Sequence, residues 1–166
     1  MSENLTHEES VQKLGELIKD IDIAMLTTVE ADGSLRSRPM STQTTDFDGT
    51  LWFFIEKGSA KVHEVAHDSH VNLGYSDRPN QVYVSVSGRA RVVEDRAKIE
   101  ELWSPAHKAW FPEGKDDPTL TLLAVEVDHA EYWDAPSSLV MNVLGFAKAM
   151  ATGERYEPGE NVKVDL

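Results

Sequence analysis

In the run QVYVSVSGRARVVED, residues 81–95, Val82, Val84 and Val86 alternate with Tyr83, Ser85 and Ser87. A period of two is the pattern of a half-buried β-strand, and it constrains the chain most because similar β-prone runs recur with only tight turns between them. IDIAMLTTVE and SLRSRPMSTQTT flank Asp32 and Gly33 and read as a hairpin. Asp46, Asp48 and Gly49 mark a second turn before TLWFFIE, whose aromatic run implies burial on both faces or a ligand-lined wall. HVNLGYSD, the 81–95 run and LTLLAVEVDHAEYW complete the set, with Gly88 expected at a bulge or barrel corner. About six antiparallel strands without a βαβ unit predict a mainly β fold with small peripheral helices, a curled sheet or small barrel, and disfavour a parallel dinucleotide-binding sheet.

The helical signals are short. Thr6 with Glu9 has the capping-box form, and Val11, Leu14, Leu17, Ile18 and Ile21 recur at helical spacing, predicting an amphipathic helix over 7–20 that lies against the sheet. Further helices are expected over 59–68, 94–103, 104–110 and 138–151, the last followed by a polar tail. At 166 residues the chain is the size of one domain, read as 1–166 with a core over about 7–135 and the terminal helix and tail over 138–166.

Charge narrows the partners. With 29 acidic against 16 basic residues and a net charge of −13, neither nucleic acid nor an anionic membrane is expected as a partner. The absence of cysteine excludes disulfides, thiolate nucleophiles and cysteine-ligated metals. No apolar run is long enough to span a bilayer and MSENLTHEES lacks the features of a leader, so the chain is read as cytoplasmic.

Against this acidic background RSRPM, residues 36–40, places Arg36, Arg38 and Met40 on one face of a strand and Ser37, Pro39 and Ser41 on the other. Arginines taken alone read as surface groups paired with some of the acids. Pro39 shifts the balance: lacking an N–H, it fits poorly in a continuous ladder, so the sheet is expected to open there and free backbone groups near Met40 and Ser41. GSAK, residues 58–61, then offers Ser59, free N–H groups at a helix start and Lys61, an anion site if brought to Arg38. If the Arg38 strand pairs with TLWFFIE, both cations converge on one phosphate, with Trp52, Phe53 and Phe54 as walls for an aromatic ring.

HEVAH, residues 63–67, matches the zinc-hydrolase pattern of two histidines and a general-base glutamate, with His70 nearby. The helix is too short for that context, and His70 stands where the extended motif requires glycine. His63 and His67 are read as solvent-facing, and no metal is assigned. Asp68, Asp77 and Asp95 fall at element ends and are read as caps or turns. Trp103 and Trp110 read as a helical stripe on the barrel, and Tyr83 as a sheet-face tyrosine.

The succession of hairpin, RSRPM, LWFF, GSAK, VNLGYSD, YVSVSGRARVVED, WFPEGKDDP and LAVEVDHAEYWD resembles the FMN-binding split barrels related to pyridoxamine 5′-phosphate oxidase, most closely their general stress protein branch, over about residues 10–135. The resemblance implies a six-stranded antiparallel split β-barrel, a homodimer, and FMN in a groove at the subunit interface. It assigns Arg38, Ser59 and Lys61 to the phosphate, and backbone beside Pro39, around Met40 and Ser41 and at Phe54 and Ile55 to the isoalloxazine ring. A tryptophan of the other subunit covers the ring, with Trp133 and Trp110 as candidates. Two departures stand out. Ala60 replaces a second basic residue, so phosphate affinity is lower or Arg36 compensates, and nothing after Trp133 matches the oxidases' substrate-phosphate segment, which argues against vitamin B6 oxidation.

The expected function is an FMN-dependent oxidoreductase exchanging electrons with a small-molecule donor or acceptor, in a stress setting implied by the resemblance alone. A non-catalytic flavin carrier or sensor is the alternative, and an HExxH zinc hydrolase a remote one. Haem or a deazaflavin in place of FMN would suit the same fold.

Overall fold

The alternating runs form one antiparallel sheet in a computed structural model that describes residues 6–43, 45–135, 139–157 and 159–166. In chain order its strands are β1 (Ile23–Val29), β2 (Leu35–Ser41), β3 (Thr50–Glu56), β4 (His70–Asp77), β5 (Val82–Val93), β6 (Leu120–Asp134) and β7 (Glu160–Asp165). The sheet runs β2-β1-β4-β5-β6-β3, with β7 pairing β6 beside the path. This curled six-strand half-barrel with small helices is the predicted class. The β1–β2 hairpin turns at Gly33, whose φ of 84° is left-handed. The register of β5 on β6 shifts between Ser87 and Gly88, so Gly88 does mark a bulge.

Among the described residues four α-helices decorate the sheet: α1 (His7–Ile18), α2 (Ala60–His67), α3 (Arg96–Leu102) and α4 (Leu139–Thr152). The Thr6–Glu9 capping box is formed, and Leu14 and Ile18 of α1 enter the main core with Leu26, Phe53, Leu73, Val86 and Val125. A second, smaller core lies on the opposite face of β3 and β6, where α3 and two 3-10 turns (Pro105–Ala109 and Gly114–Asp116) pack Ile99, Leu102 and Phe111 onto Leu120 and Leu122. TLWFFIE is therefore covered on both faces: Phe53 and Ile55 belong to the main core, while Trp52 and Phe54 pack on the second.

Three expectations need correction. β2 does not pair with β3; they are opposite edges of the sheet, because β6 takes β3 as its neighbour. The tail is not merely polar: Val162, Val164 and Leu166 alternate inward against the main core and make β7 a seventh strand. Trp110 is not part of a buried stripe. It is 65% exposed, because the turn after Ala109 carries it off the second core that holds Trp103. Ser138, the predicted start of α4, and the first five residues lie outside the described residues.

Candidate functional site

The curl brings β2 and β3 near one another without a ladder between them. Pro39 sits in the β2 edge, where a missing N–H is tolerated. The resulting groove encloses about 340 Å³, within the usual range for small-molecule sites. Pro39, Met40 and Ser41 form one wall and Phe54, Ile55 and Glu56 the other; Lys61 enters from α2, and His107, Trp110 and Phe111 close a third side. Seven of the predicted residues thus meet: Pro39, Met40, Ser41, Phe54, Ile55, Lys61 and Trp110.

Arg38 is not among the residues that line this groove. Its Nη1 donates to Thr28 Oγ1 (3.0 Å), Thr28 Oγ1 donates to Glu64 Oε2 (2.5 Å), and Nη2 stands 2.7 Å from that same oxygen. The Nη2 approach is an ion pair without hydrogen-bond alignment, which leaves that buried nitrogen with no hydrogen-bond partner among the described residues. Burial alone would raise the Glu64 pKa, but the Thr28 hydrogen bond, the close Arg38 guanidinium and the Arg36 charge outweigh it, so the carboxyl titrates below its ordinary value. Arg36 pairs with Glu30 (2.7 Å) on the exposed side.

Lys61 is the groove's direct cation. Among the described residues it has no ion-pair partner, in a chain of net charge −13. Burial first, and then the Arg38 charge, press its pKa below the ordinary lysine value, with Glu56 and Glu64 offsetting part. Two cations that repel one another beside a groove fit a bound anion. Ser59 is the N-cap of α2, but its hydroxyl donates back to the Glu56 carbonyl (2.8 Å) and makes no capping bond, so the helix start keeps its own N–H donors uncapped by side chains.

Sequence reasoning missed Gln43 and His107. The Ser104 N–H donates to His107 Nδ1 (2.9 Å), which leaves Nε2 to carry the proton and donate to Gln43 Oε1 (3.1 Å), while Gln43 Nε2 donates to the Ser41 carbonyl (3.2 Å). His107 also packs on Phe54 with ring centroids 4.5 Å apart. This chain ties the 3-10 segment to the β2 wall across 64 residues of sequence, and no local pattern announces it.

Trp133 is not in this groove. Phe54 lies opposite Leu122, near the start of β6, whereas Trp133 lies opposite Tyr83 near its end, roughly 35 Å further along the strand. In HEVAH, Glu64 faces the sheet, His63 and His67 are exposed, and no cluster of three metal-ligating side chains occurs among the described residues. Asp95 accepts from Lys98 N as a cap, and Asp68 and Asp77 accept from the His70 and Asn80 amides.

A curled antiparallel sheet, split between two edge strands with a cation at the split, defines the molecule as a split-barrel protein. The chain belongs to the pyridoxamine 5′-phosphate oxidase-like family, whose model matches residues 9–157. General stress protein 26 of Bacillus subtilis is 27% identical over 136 residues, covering 79% of this chain and 93% of the relative. A Jannaschia sp. CCS1 protein assigned as general stress protein 26 superposes with a TM-score of 0.74 at 29% identity, covering 91% of this chain and 94% of that one. The general stress FMN/FAD binding protein of Xanthomonas citri gives a TM-score of 0.68 at 32% identity, covering 80% and 93%. No helix among the described residues is long and apolar enough to cross a membrane.

Proposed function

We propose that the chain is a cytoplasmic flavin-binding protein that takes FMN in the β2–β3 groove and acts as an oxidoreductase on a small molecule. The observation that carries this reading is the groove itself: Lys61 at its edge, without an ion-pair partner among the described residues, with Phe54, Trp110 and Phe111 facing the Met40–Ser41 strand. The FMN/FAD binding named for the Xanthomonas citri relative supports it. Lys61, Ser59 and the α2 start would hold the phosphate with Arg38 behind them, and Pro39, Met40, Ser41, Phe54 and Ile55 would border the ring. Flavin, when bound, supplies reversible hydride or electron transfer, and the chain's part is to bind it, exclude water and favour the anionic reduced form with positive charge. A homodimer is part of the proposal, since only a second copy can bring Trp133 to the groove.

The test is the absorbance spectrum of the purified protein, with FMN added in excess if it is colourless. The wild type is expected to hold about one flavin per chain, and Arg38→Ala with Lys61→Ala to lose it while remaining folded. Stoichiometric yellow cofactor in the double variant would overturn the assignment. Full occupancy without turnover of a reduced nicotinamide or other donor would instead mark a carrier or sensor.

A further inference from the structure

The glutamate of HEVAH has no role in the reading above, yet it is the most closely held carboxylate near the groove. Its side chain is 10% exposed and the Arg38 side chain 18%, so solvent screens their contact only weakly. Glu64 lies on α2 one turn beyond Lys61, and it pairs with the Arg38 guanidinium, which does not line the groove that Lys61 enters.

We infer that Glu64 sets the anion affinity of this groove by competing with the ligand's phosphate for Arg38. The inference rests on the reading that the groove takes a flavin phosphate. A phosphate arriving at Lys61 meets an arginine whose charge is already balanced, and to recruit it must share it with a carboxylate of its own sign. Ala60 supplies no charge, and Arg36, whose charge also reaches Glu64, is engaged by Glu30. Nη2, buried and held 2.7 Å from Glu64 Oε2 without hydrogen-bond alignment, would have to leave that carboxylate to bond an incoming oxygen. Glu64 thus makes the flavin an exchangeable ligand, and it discriminates against phosphate charge rather than against the ring.

FMN and riboflavin differ only in the phosphate, which separates the two effects. Both are titrated, by flavin fluorescence, into the wild type, Glu64→Gln and Glu64→Asp. Glu64→Gln keeps an oxygen for Thr28 and Arg38 but removes the charge, so FMN is expected to bind about tenfold tighter while riboflavin affinity stays unchanged. Glu64→Asp keeps the charge and should bind FMN within about twofold of wild type. Melting curves supply a second signature. Without flavin, Glu64→Gln should melt below wild type, because Arg38 is left unbalanced, and FMN should raise its melting temperature by more than it raises the wild type's. A merely structural glutamate would lower the melting temperature without the larger recovery. Should Glu64→Gln fail to fold, Glu64→Ala carries the same comparison. Unchanged or weaker FMN binding in the charge-removing variant, or an equal shift for riboflavin, overturns the inference and leaves the flavin assignment standing. Failure of wild type and variants alike to bind FMN overturns both.

Discussion

Lys61 shows how one buried charge couples ligand affinity to proton binding. Its pKa lies below 10.5 because burial, and next Arg38, oppose the ammonium. Well below its folded pKa both folded and unfolded chains carry the charge and the penalty is full; as pH rises through the folded pKa towards 10.5 the folded chain gives up its proton first and stability is recovered. A phosphate needs the ammonium, so affinity moves the opposite way. FMN binding is expected to weaken as the pH climbs towards 10.5, beginning earlier than an ordinary lysine would allow, and Lys61→Arg, which does not titrate, should flatten that dependence. Fluorescence titrations over this range check it, and an unchanged profile in Lys61→Arg would remove Lys61 from the phosphate site. The lysine was legible in the sequence because GSAK sits at a helix start. The partners of Arg38 were not: Thr28 is 10 residues away and Glu64 26, and that glutamate looked like part of a zinc motif until the fold turned it to the sheet.

Among the elements, strands were read most faithfully where alternation was strict, as in HVNLGYSD and Val82–Val93, which occur as β4 and β5. β7 escaped notice because its apolar residues are few and gain their strand partners from the far half of β6. The β2–β3 relation was misjudged for a physical reason: sequence order suggests neighbours, but the strand that pairs β3 lies more than 60 residues downstream, at Leu120–Glu126. A Cβ at Gly88 would lie 2.1 Å from the Glu126 carbonyl oxygen, a clash with backbone that no rotamer relieves. Gly88→Ala should push β5 from β6 and destabilise the fold by about 3 kcal/mol, read from urea unfolding. A loss within about 0.5 kcal/mol would mean that the bulge relaxes freely.

Across the whole molecule, the outward face of the sheet links fold to function. Ile23 is 48% exposed, Met25 43%, Tyr83 42% and Trp133 41%. Tyr83 lies directly opposite Trp133, and Met25 lies between Pro39 and Gly74, with Ser85 beyond, so small residues leave a shallow apolar surface. Pro39 belongs both to this face and to the groove wall, so covering the face with a second copy would also narrow the groove. Each copy carries a net charge of −13, and self-association must overcome that repulsion with apolar contact. Two consequences follow at this scale. Salt should strengthen the proposed dimer by screening, in contrast to an interface built on ion pairs. Met25→Glu, which places a carboxylate at the centre of the apolar face, should give monomers by light scattering after size exclusion, and those monomers should bind FMN at least about tenfold more weakly although the phosphate residues are intact. A wild type that is monomeric with full flavin occupancy would place both walls of the site within one chain and leave Trp133 without a role.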